Sequence, residues 1–325
     1  MKSFDEITDI ISTEIDKINW SKEPIGLYEP IGYVLSLGGK RIRPAMALMA
    51  CNLYSDNIQP AVNSALALEI FHNFTLLHDD IMDRADVRRS QPTVHKKWND
   101  NTAILSGDVM QIASYHYMTQ TPLNQLKRSL DLFSQTAAEI CEGQQYDVEF
   151  EQRERVEEDE YLEMIRLKTA VLLGASLQIG SWIGGAGDED AQLLYDFGIN
   201  TGLAFQLKDD LLDVYGDEAT FGKKIGGDIL CNKKTYLLIH ALEMAKGKDA
   251  DDLQRWLAIS DEKLSDDKIQ ALTFLFNKLG VKEICEDKMQ FFYGKAIANL
   301  EKVSVSDNKK QELRNLAENL MFRKE

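Results

Sequence analysis

The sequence predicts an all-α protein, a single large helical bundle around a central cavity with one domain spanning 1–325. Three observations carry that expectation. Apolar residues recur at spacings of three and four along nearly the whole chain. Only six prolines interrupt 325 residues, which leaves room for long helices. No alternating apolar and polar runs bounded by turn residues point to strands.

The first element covers 4–18, where Phe4, Ile7, Ile11, Ile15 and Ile18 share one face. The same period returns over 44–54, 61–83, 101–118, 123–149, 159–182 and 189–214, and then over 234–246, 251–259, 266–279, 281–302 and 308–321. Breakers divide these segments: Gly38-Gly39, Gln59-Pro60, Ser90-Gln91-Pro92, Thr121-Pro122, Gly184 to Asp190, and Gly216 to Asp228. The acidic run from Glu149 to Glu160 reads as a solvated helix end and loop.

Fifty-three Asp and Glu outnumber 37 Lys and Arg, a formal charge of −16. Such a surface repels nucleic acid, and no basic stripe offers a phosphate track. Cys51, Cys141, Cys231 and Cys285 are far apart and form no CxxC pair, which argues against a zinc cluster or a disulfide framework and for a reducing compartment. The stretch from Met1 to Trp20 is amphipathic and acidic, unlike a signal peptide. No apolar run is long enough to span a membrane. The expected location is the cytoplasm.

Two segments concentrate carboxylates: Phe74 to Asp83, containing Asp79, Asp80 and Asp83, and Phe205 to Asp213, containing Asp209, Asp210 and Asp213. On a helix the first and third Asp of each triplet are four residues apart and share a face. Like charges at that spacing destabilise a helix by a few tenths of a kcal/mol, and burial beside apolar neighbours costs more. A hard divalent cation removes the conflict. Mg²⁺ takes oxygen ligands and commonly joins one or two carboxylates to substrate phosphates. One such motif alone often marks a solvated acidic face; two in apolar helical surroundings point to Mg²⁺ holding a diphosphate. Neither segment has the alternating ligands and glycine of an EF-hand. His78 with Asp79 and Asp80 as a metal phosphohydrolase pair is the weaker reading, in a chain with five His.

Cations flank both triplets. Gly38-Gly39-Lys40-Arg41-Ile42-Arg43-Pro44 combines close backbone approach with a Lys and an Arg near a helix start. Arg88-Arg89 follows the first triplet, Lys168-Thr169 lies mid-chain, and Lys223 and Lys233 follow the second. Each pair alone is ordinary surface; the combination is not.

These segments resemble the trans-isoprenyl diphosphate synthase (polyprenyl synthase) family, of the short-chain type. The resemblance rests on Gly39 to Pro44, Asp79 to Asp83 with Arg88-Arg89, Gly143-Gln144-Gln145-Tyr146-Asp147, Lys168-Thr169, Gln206 to Asp213, and Lys223 with Lys233, in the family's order. It implies a prenyltransferase that joins isopentenyl diphosphate to allylic diphosphates. Asp79, Asp83 and Asp209 would be the main Mg²⁺ ligands, with Asp80, Asp147, Asp210 and Asp213 ligating or just behind them, and three Mg²⁺ per site. Arg88, Lys168 and Lys223 (or Lys224) would bind the allylic diphosphate; Lys40, Arg43, His72 and Arg89 would hold isopentenyl diphosphate. Thr169 and Gln206 would stabilise the allylic cation, and a homodimer is expected.

The resemblance assigns chain-length control to Phe71, Phe74 and Thr75. At about 100° per residue, Phe71 and Thr75 lie below Asp79, whereas Phe74 sits about 140° round the helix. By the same resemblance, a bulky Phe74 beside a small Thr75 implies a twenty-carbon product, with fifteen carbons next and a longer chain as a further alternative. A terpene cyclase would not need the Lys40, Arg43 and Arg89 pocket, and a non-catalytic synthase subunit would not keep both triplets.

Overall fold

The computed structural model describes residues 1–216 and 225–322. Its helices are α1 (Phe4–Asp16), α2 (Ile25–Ser36), α3 (Ile42–Tyr54), α4 (Val62–Met82), α5 (Val94–Lys97), α6 (Asp100–Met118), α7 (Leu123–Gln152) and α8 (Glu158–Ile165), followed by α9 (Val171–Gly184) and α10 (Asp188–Tyr215). After these come α11 (Gly227–Leu230), α12 (Tyr236–Met244), α13 (Lys248–Leu257), α14 (Ser265–Leu279), α15 (Val281–Lys302) and α16 (Asp307–Phe322). Two-residue strands, β1 (Val87–Arg88) and β2 (Gln91–Pro92), pair antiparallel between α4 and α5. No described helix is long and apolar enough to cross a membrane. The chain forms two compact units, one of Met1–Gln135, Leu172–Asp196 and Asn299–Leu316, the other of Thr136–Val171, Phe197–Ala298 and Ala317–Glu325.

In the first unit, α1 begins at a capping box in which Ser3 and Glu6 satisfy each other's backbone amides, and it buries Ile7, Ile11 and Ile15. Helix α3 is buried without interruption from Pro44 to Leu53, as an all-round apolar helix must be. Glycines let α9 pack directly on it. A Cβ at Gly180 would stand 1.9 Å from the Ala47 carbonyl oxygen, and one at Gly184 would stand 2.5 Å from that of Cys51. Asp190 pins distant segments of this unit: it accepts from Tyr54 Oη at 2.9 Å and from the Ser304 amide at 2.9 Å.

The second unit's core joins Phe150, Tyr161 and Met164 to Leu203, Leu207, Tyr236, Leu272, Phe276 and Met289. Lys268 is buried within it because its ammonium donates to the Ile259 carbonyl at 3.1 Å.

Two local expectations need correction. Helix α2 was not predicted, because Gly26, Pro30 and Gly32 blur its period; burial of Pro30, Ile31, Val34 and Leu35 overrides that weak propensity. The stretch 159–182 is not one regular helix, since Arg166–Ala170 winds into a π-turn between α8 and α9.

Candidate active site

Both aspartate triplets sit at the carboxyl ends of long helices. Asp79 and Asp80 close α4, and Asp83 is its C-cap; Asp209, Asp210 and Asp213 lie in the last two turns of α10. The helix dipole already places partial negative charge there, so carboxylates add repulsion of about 0.3–1 kcal/mol each when exposed. Nothing in helix formation favours that placement. A bound cation does.

In the first unit, Asp80 is 5% exposed and both its oxygens accept from Arg88 Nε at 2.9 Å. Burial raises its carboxyl above the usual range, and Arg88 opposes the shift. Arg88 reaches it from a hairpin whose two central residues, Arg89 and Ser90, have φ of 52° and 61°, the geometry of a type I′ turn. Left-handed backbone at two non-glycine residues costs about 1–2 kcal/mol each, and such strain gathers at functional sites. The turn also lets Arg89 donate to the Gly38 carbonyl. Gly39 is required there: its φ is 131°, and a Cβ would stand 2.5 Å from Arg89 Nη2.

The Gly38–Arg43 loop sorts its cations. Arg41, at φ 48°, turns inward to pair with Glu69 and to donate to the Leu35 carbonyl at 2.7 Å. Glu69 also accepts from Asn73 Nδ2 at 2.9 Å. Lys40 is exposed and Arg43 half-buried. Arg43 Nη1 lies 3.0 Å from His72 Nε2; a guanidinium only donates, so Nε2 accepts and the proton sits on Nδ1. Burial, then the charges of Arg43, Arg89, Arg88 and Arg41, push the imidazole well below its usual range. The ring is neutral, and the local field is strongly positive.

Below the triplet, Phe71 is fully buried and its ring meets Phe74 at 5.4 Å and Phe133 at 5.3 Å. Phe133 meets Tyr115 at 5.0 Å, and Phe74 meets His78 at 4.8 Å. Phe74 thus joins Phe71 in one aromatic cluster despite its angle on the helix. Thr75 is half-buried and donates its hydroxyl to the His72 carbonyl at 2.8 Å.

In the second unit, Lys168 and Thr169 stand on the π-turn, a distortion frequent at functional sites. Gly143 of α7 allows it to approach: a Cβ there would lie 2.4 Å from the Lys168 amide nitrogen. Asp147, one turn on, contacts Lys168 Nζ at 2.6 Å and Lys233 Nζ at 3.3 Å. Burial alone would raise its carboxyl, but Lys233 and Lys168 outweigh it and hold it below the usual range.

Asp210 is 4% exposed and accepts from Tyr161 Oη, from the Tyr236 amide at 3.2 Å and from Gln206 Nε2 at 3.4 Å. Burial, followed by the neighbouring Asp228, pushes its carboxyl up to about 7. Gln206 Oε1 accepts from the Thr169 hydroxyl at 3.2 Å. Asp213 accepts from the Asp228 amide at 3.0 Å. Asp209 is half-buried. Lys223 and Lys224 lie outside the described residues.

The seven aspartates therefore divide. Asp80, Asp210 and Asp213 are buried and Asp147 is half-buried, each accepting from a protein donor; Asp79 and Asp209 are half-buried and Asp83 is exposed. Among the described residues, no three His, Cys, Asp or Glu side chains form a ready-made metal cage. Mg²⁺ does not need one, because it binds through one or two carboxylates with waters and phosphate oxygens. The donor set fits that ion. Sequence reasoning missed Glu69, Tyr161 and Tyr236, which orient the residues it named. Glu69 carried one readable signal, a lone carboxylate inside an apolar helix.

A mainly helical chain with two aspartate triplets, each at a helix carboxyl end with Arg or Lys side chains nearby, fits the isoprenoid synthase class. The chain belongs to the polyprenyl synthetase family, whose model matches residues 25–275, and it is a prenyltransferase. It is 36% identical over 320 residues to geranylgeranyl diphosphate synthase of Sulfolobus acidocaldarius, covering 97% of this chain and 96% of the relative. A crystal structure of geranylgeranyl pyrophosphate synthase superposes with a TM-score of 0.95 at 44% identity, over 100% of both chains. The Corynebacterium glutamicum geranylgeranyl pyrophosphate synthase, complexed with isoprenyl diphosphate and magnesium, matches at a TM-score of 0.84 and 26% identity, over 98% of this chain and 97% of that one.

Proposed function

We propose that this prenyltransferase condenses isopentenyl diphosphate with allylic diphosphates to the twenty-carbon geranylgeranyl diphosphate, and that both aspartate triplets serve that one reaction. The observation that supports this reading is the placement of two aspartate triplets at helix carboxyl ends, Asp79, Asp80 and Asp83 closing α4 and Asp209, Asp210 and Asp213 in the last turns of α10, which helix formation disfavours and a bound cation would relieve; Asp79, Asp83 and Asp209 would be the main Mg²⁺ ligands. All three proteins named above, which share most of this chain's length, are geranylgeranyl diphosphate synthases by name, and one of them holds isoprenyl diphosphate and magnesium.

Lys40, Arg43 and Arg89 bind the diphosphate of the isopentenyl substrate, with neutral His72 aligning Arg43. Arg88, Lys168, Lys233 and Lys223 or Lys224 bind the allylic diphosphate. Bound Mg²⁺ supplies neutralisation of the charge that grows on that diphosphate as it leaves. The allylic C–O bond breaks, its electron pair departs with the diphosphate, and positive charge spreads over the allyl group. Thr169 and Gln206 offer oxygen dipoles to that charge in a setting shielded from water. The alkene of isopentenyl diphosphate supplies the electrons of the new C–C bond, and the resulting cation loses a proton to the released diphosphate. The aromatic cluster of Phe71 and Phe74, beside small Thr75, limits the growing chain. The same reading expects a homodimer acting in the cytoplasm.

The test is product analysis. Enzyme, Mg²⁺, isopentenyl diphosphate and dimethylallyl, geranyl or farnesyl diphosphate should give a twenty-carbon diphosphate from every primer. Accumulation of the fifteen-carbon diphosphate would move the product assignment down one step. Cyclic products, or no condensation at all, would reject the reading.

A further inference from the structure

We propose that Asp210 is an orienting group and not a metal ligand: clamped by Tyr161, it fixes the Gln206 amide so that its carbonyl oxygen, on the Thr169 side, faces the allylic cation. The inference rests on the function proposed above and assigns a role to Tyr161 that the sequence did not reveal.

The geometry is a chain of four side chains within the second unit. Tyr161 is 2% exposed and donates its hydroxyl to Asp210 Oδ2, the same oxygen that accepts from the Tyr236 amide. With two donors on Oδ2, the other oxygen, Oδ1, turns to Gln206 Nε2 at 3.4 Å. Ionised, the Asp210 carboxylate has only acceptors, whereas a glutamine amide has a donor end and an acceptor end, so the hydrogen-bond network decides which way the amide lies. Facing Asp210, the amide must present its NH₂. Its Oε1 then points the other way and accepts from the Thr169 hydroxyl at 3.2 Å.

Thr169 cannot set this orientation, because a hydroxyl donates or accepts with equal ease. Asp210 can. Reversing the amide would place Oε1 against Oδ1, two acceptors in contact at a buried site, and would turn the positive NH₂ end toward Thr169. The carbonyl retains a second lone pair after accepting from Thr169, which is the dipole an allylic cation needs. Tyr161 touches neither metal nor substrate in this scheme. It is a positioning residue, acting through Asp210.

The test uses the conservative variants Asp210→Asn and Tyr161→Phe in the full-length enzyme. In D210N the Tyr161 and Tyr236 donors hold the Asn oxygen, so its NH₂ faces Gln206 and reverses that amide. The expected result is a kcat lower by about 10- to 100-fold, less than the loss of a direct stabilising dipole, with KM for both substrates within about threefold. Y161F should show a smaller fall of the same kind. Calorimetry provides the independent readout: Mg²⁺ affinity, measured with an unreactive allylic thiolodiphosphate present, should match wild type in both variants. A tenfold loss of Mg²⁺ affinity in D210N would make Asp210 a ligand and overturn the proposal, as would an unchanged kcat. Should D210N fail to fold, Y161F carries the same two measurements. A wild-type enzyme that condenses no substrates would instead reject the proposed function.

Discussion

The Arg41–Glu69 pair is the point where one atom-sized change tests how the loop at the start of α3 is built. Glu69 is 2% and Arg41 8% exposed, so both charges are removed from water and depend on each other. Glu69→Gln keeps the shape and removes the charge. Breaking a buried pair by altering one partner costs about 3–5 kcal/mol because the other charge is left uncompensated; the retained amide oxygen puts this variant at the low end. At roughly 2–4 °C per kcal/mol for a unit of 150–250 residues, the melting temperature should fall by about 6–12 °C. Arg41 holds left-handed backbone costing about 1–2 kcal/mol, so its release lets the turn relax and shifts Lys40 and Arg43, its neighbours in the loop. Losing one charge-assisted hydrogen bond, about 1.5–3 kcal/mol, raises KM for isopentenyl diphosphate by about 10- to 100-fold at 1.36 kcal/mol per decade. KM for the allylic primer should stay near wild type. Steady-state kinetics with each substrate varied in turn, alongside a thermal melt, reads both effects. The double variant Arg41→Met/Glu69→Leu separates them, because an apolar pair of similar size regains stability without restoring the turn. An E69Q enzyme with unchanged melting temperature and unchanged KM for isopentenyl diphosphate would refute the reasoning.

Three further outcomes follow from particular contacts. His72 is neutral in the folded protein, with its pKa depressed by burial and four arginines. Between that depressed value and the unfolded value of about 6.5, the unfolded chain binds the extra proton, so His72 makes stability fall as pH drops through this window. His72→Gln keeps an acceptor for Arg43 and should flatten the decline, read by urea titrations at pH 5 and pH 7; parallel slopes for both proteins would contradict the assignment. Phe71→Ala and Phe74→Ala open the aromatic cluster, at about 3–5 kcal/mol of stability each, and should shift products beyond twenty carbons on reversed-phase chromatography; unchanged length in both would remove the floor assignment. Gly143→Ala forces a Cβ to 2.4 Å from the Lys168 backbone and should raise KM for the allylic primer while sparing that for isopentenyl diphosphate.

The helices that were legible in the sequence are those with one clear apolar face, such as α1, where Ile7, Ile11 and Ile15 repeat. Helix α2 escaped because its proline and glycines are local signals, while the burial that stabilises it is tertiary. The aspartate triplets were visible because six carboxylates in apolar surroundings demand an explanation. Their division was not visible. Asp79 and Asp80 are adjacent and chemically identical, and it takes the fold to bury Asp80 against Arg88, which arrives from a strained hairpin. Likewise nothing in Glu158 to Ala170 announces that the chain changes helical pitch at Lys168. That turn follows from packing against Gly143, a residue the family motif contained without its reason.

The most direct measurement is the Mg²⁺-dependent binding of an unreactive allylic thiolodiphosphate to wild type, Asp79→Ala, Asp209→Ala and the double variant. If both carboxylates hold the same metal–diphosphate assembly, each single change should weaken binding by about 10²-fold or more, and the double should be little worse than either, because coupled residues are not additive. Full additivity, or near-normal binding in one single variant, would show that the two triplets serve separate purposes.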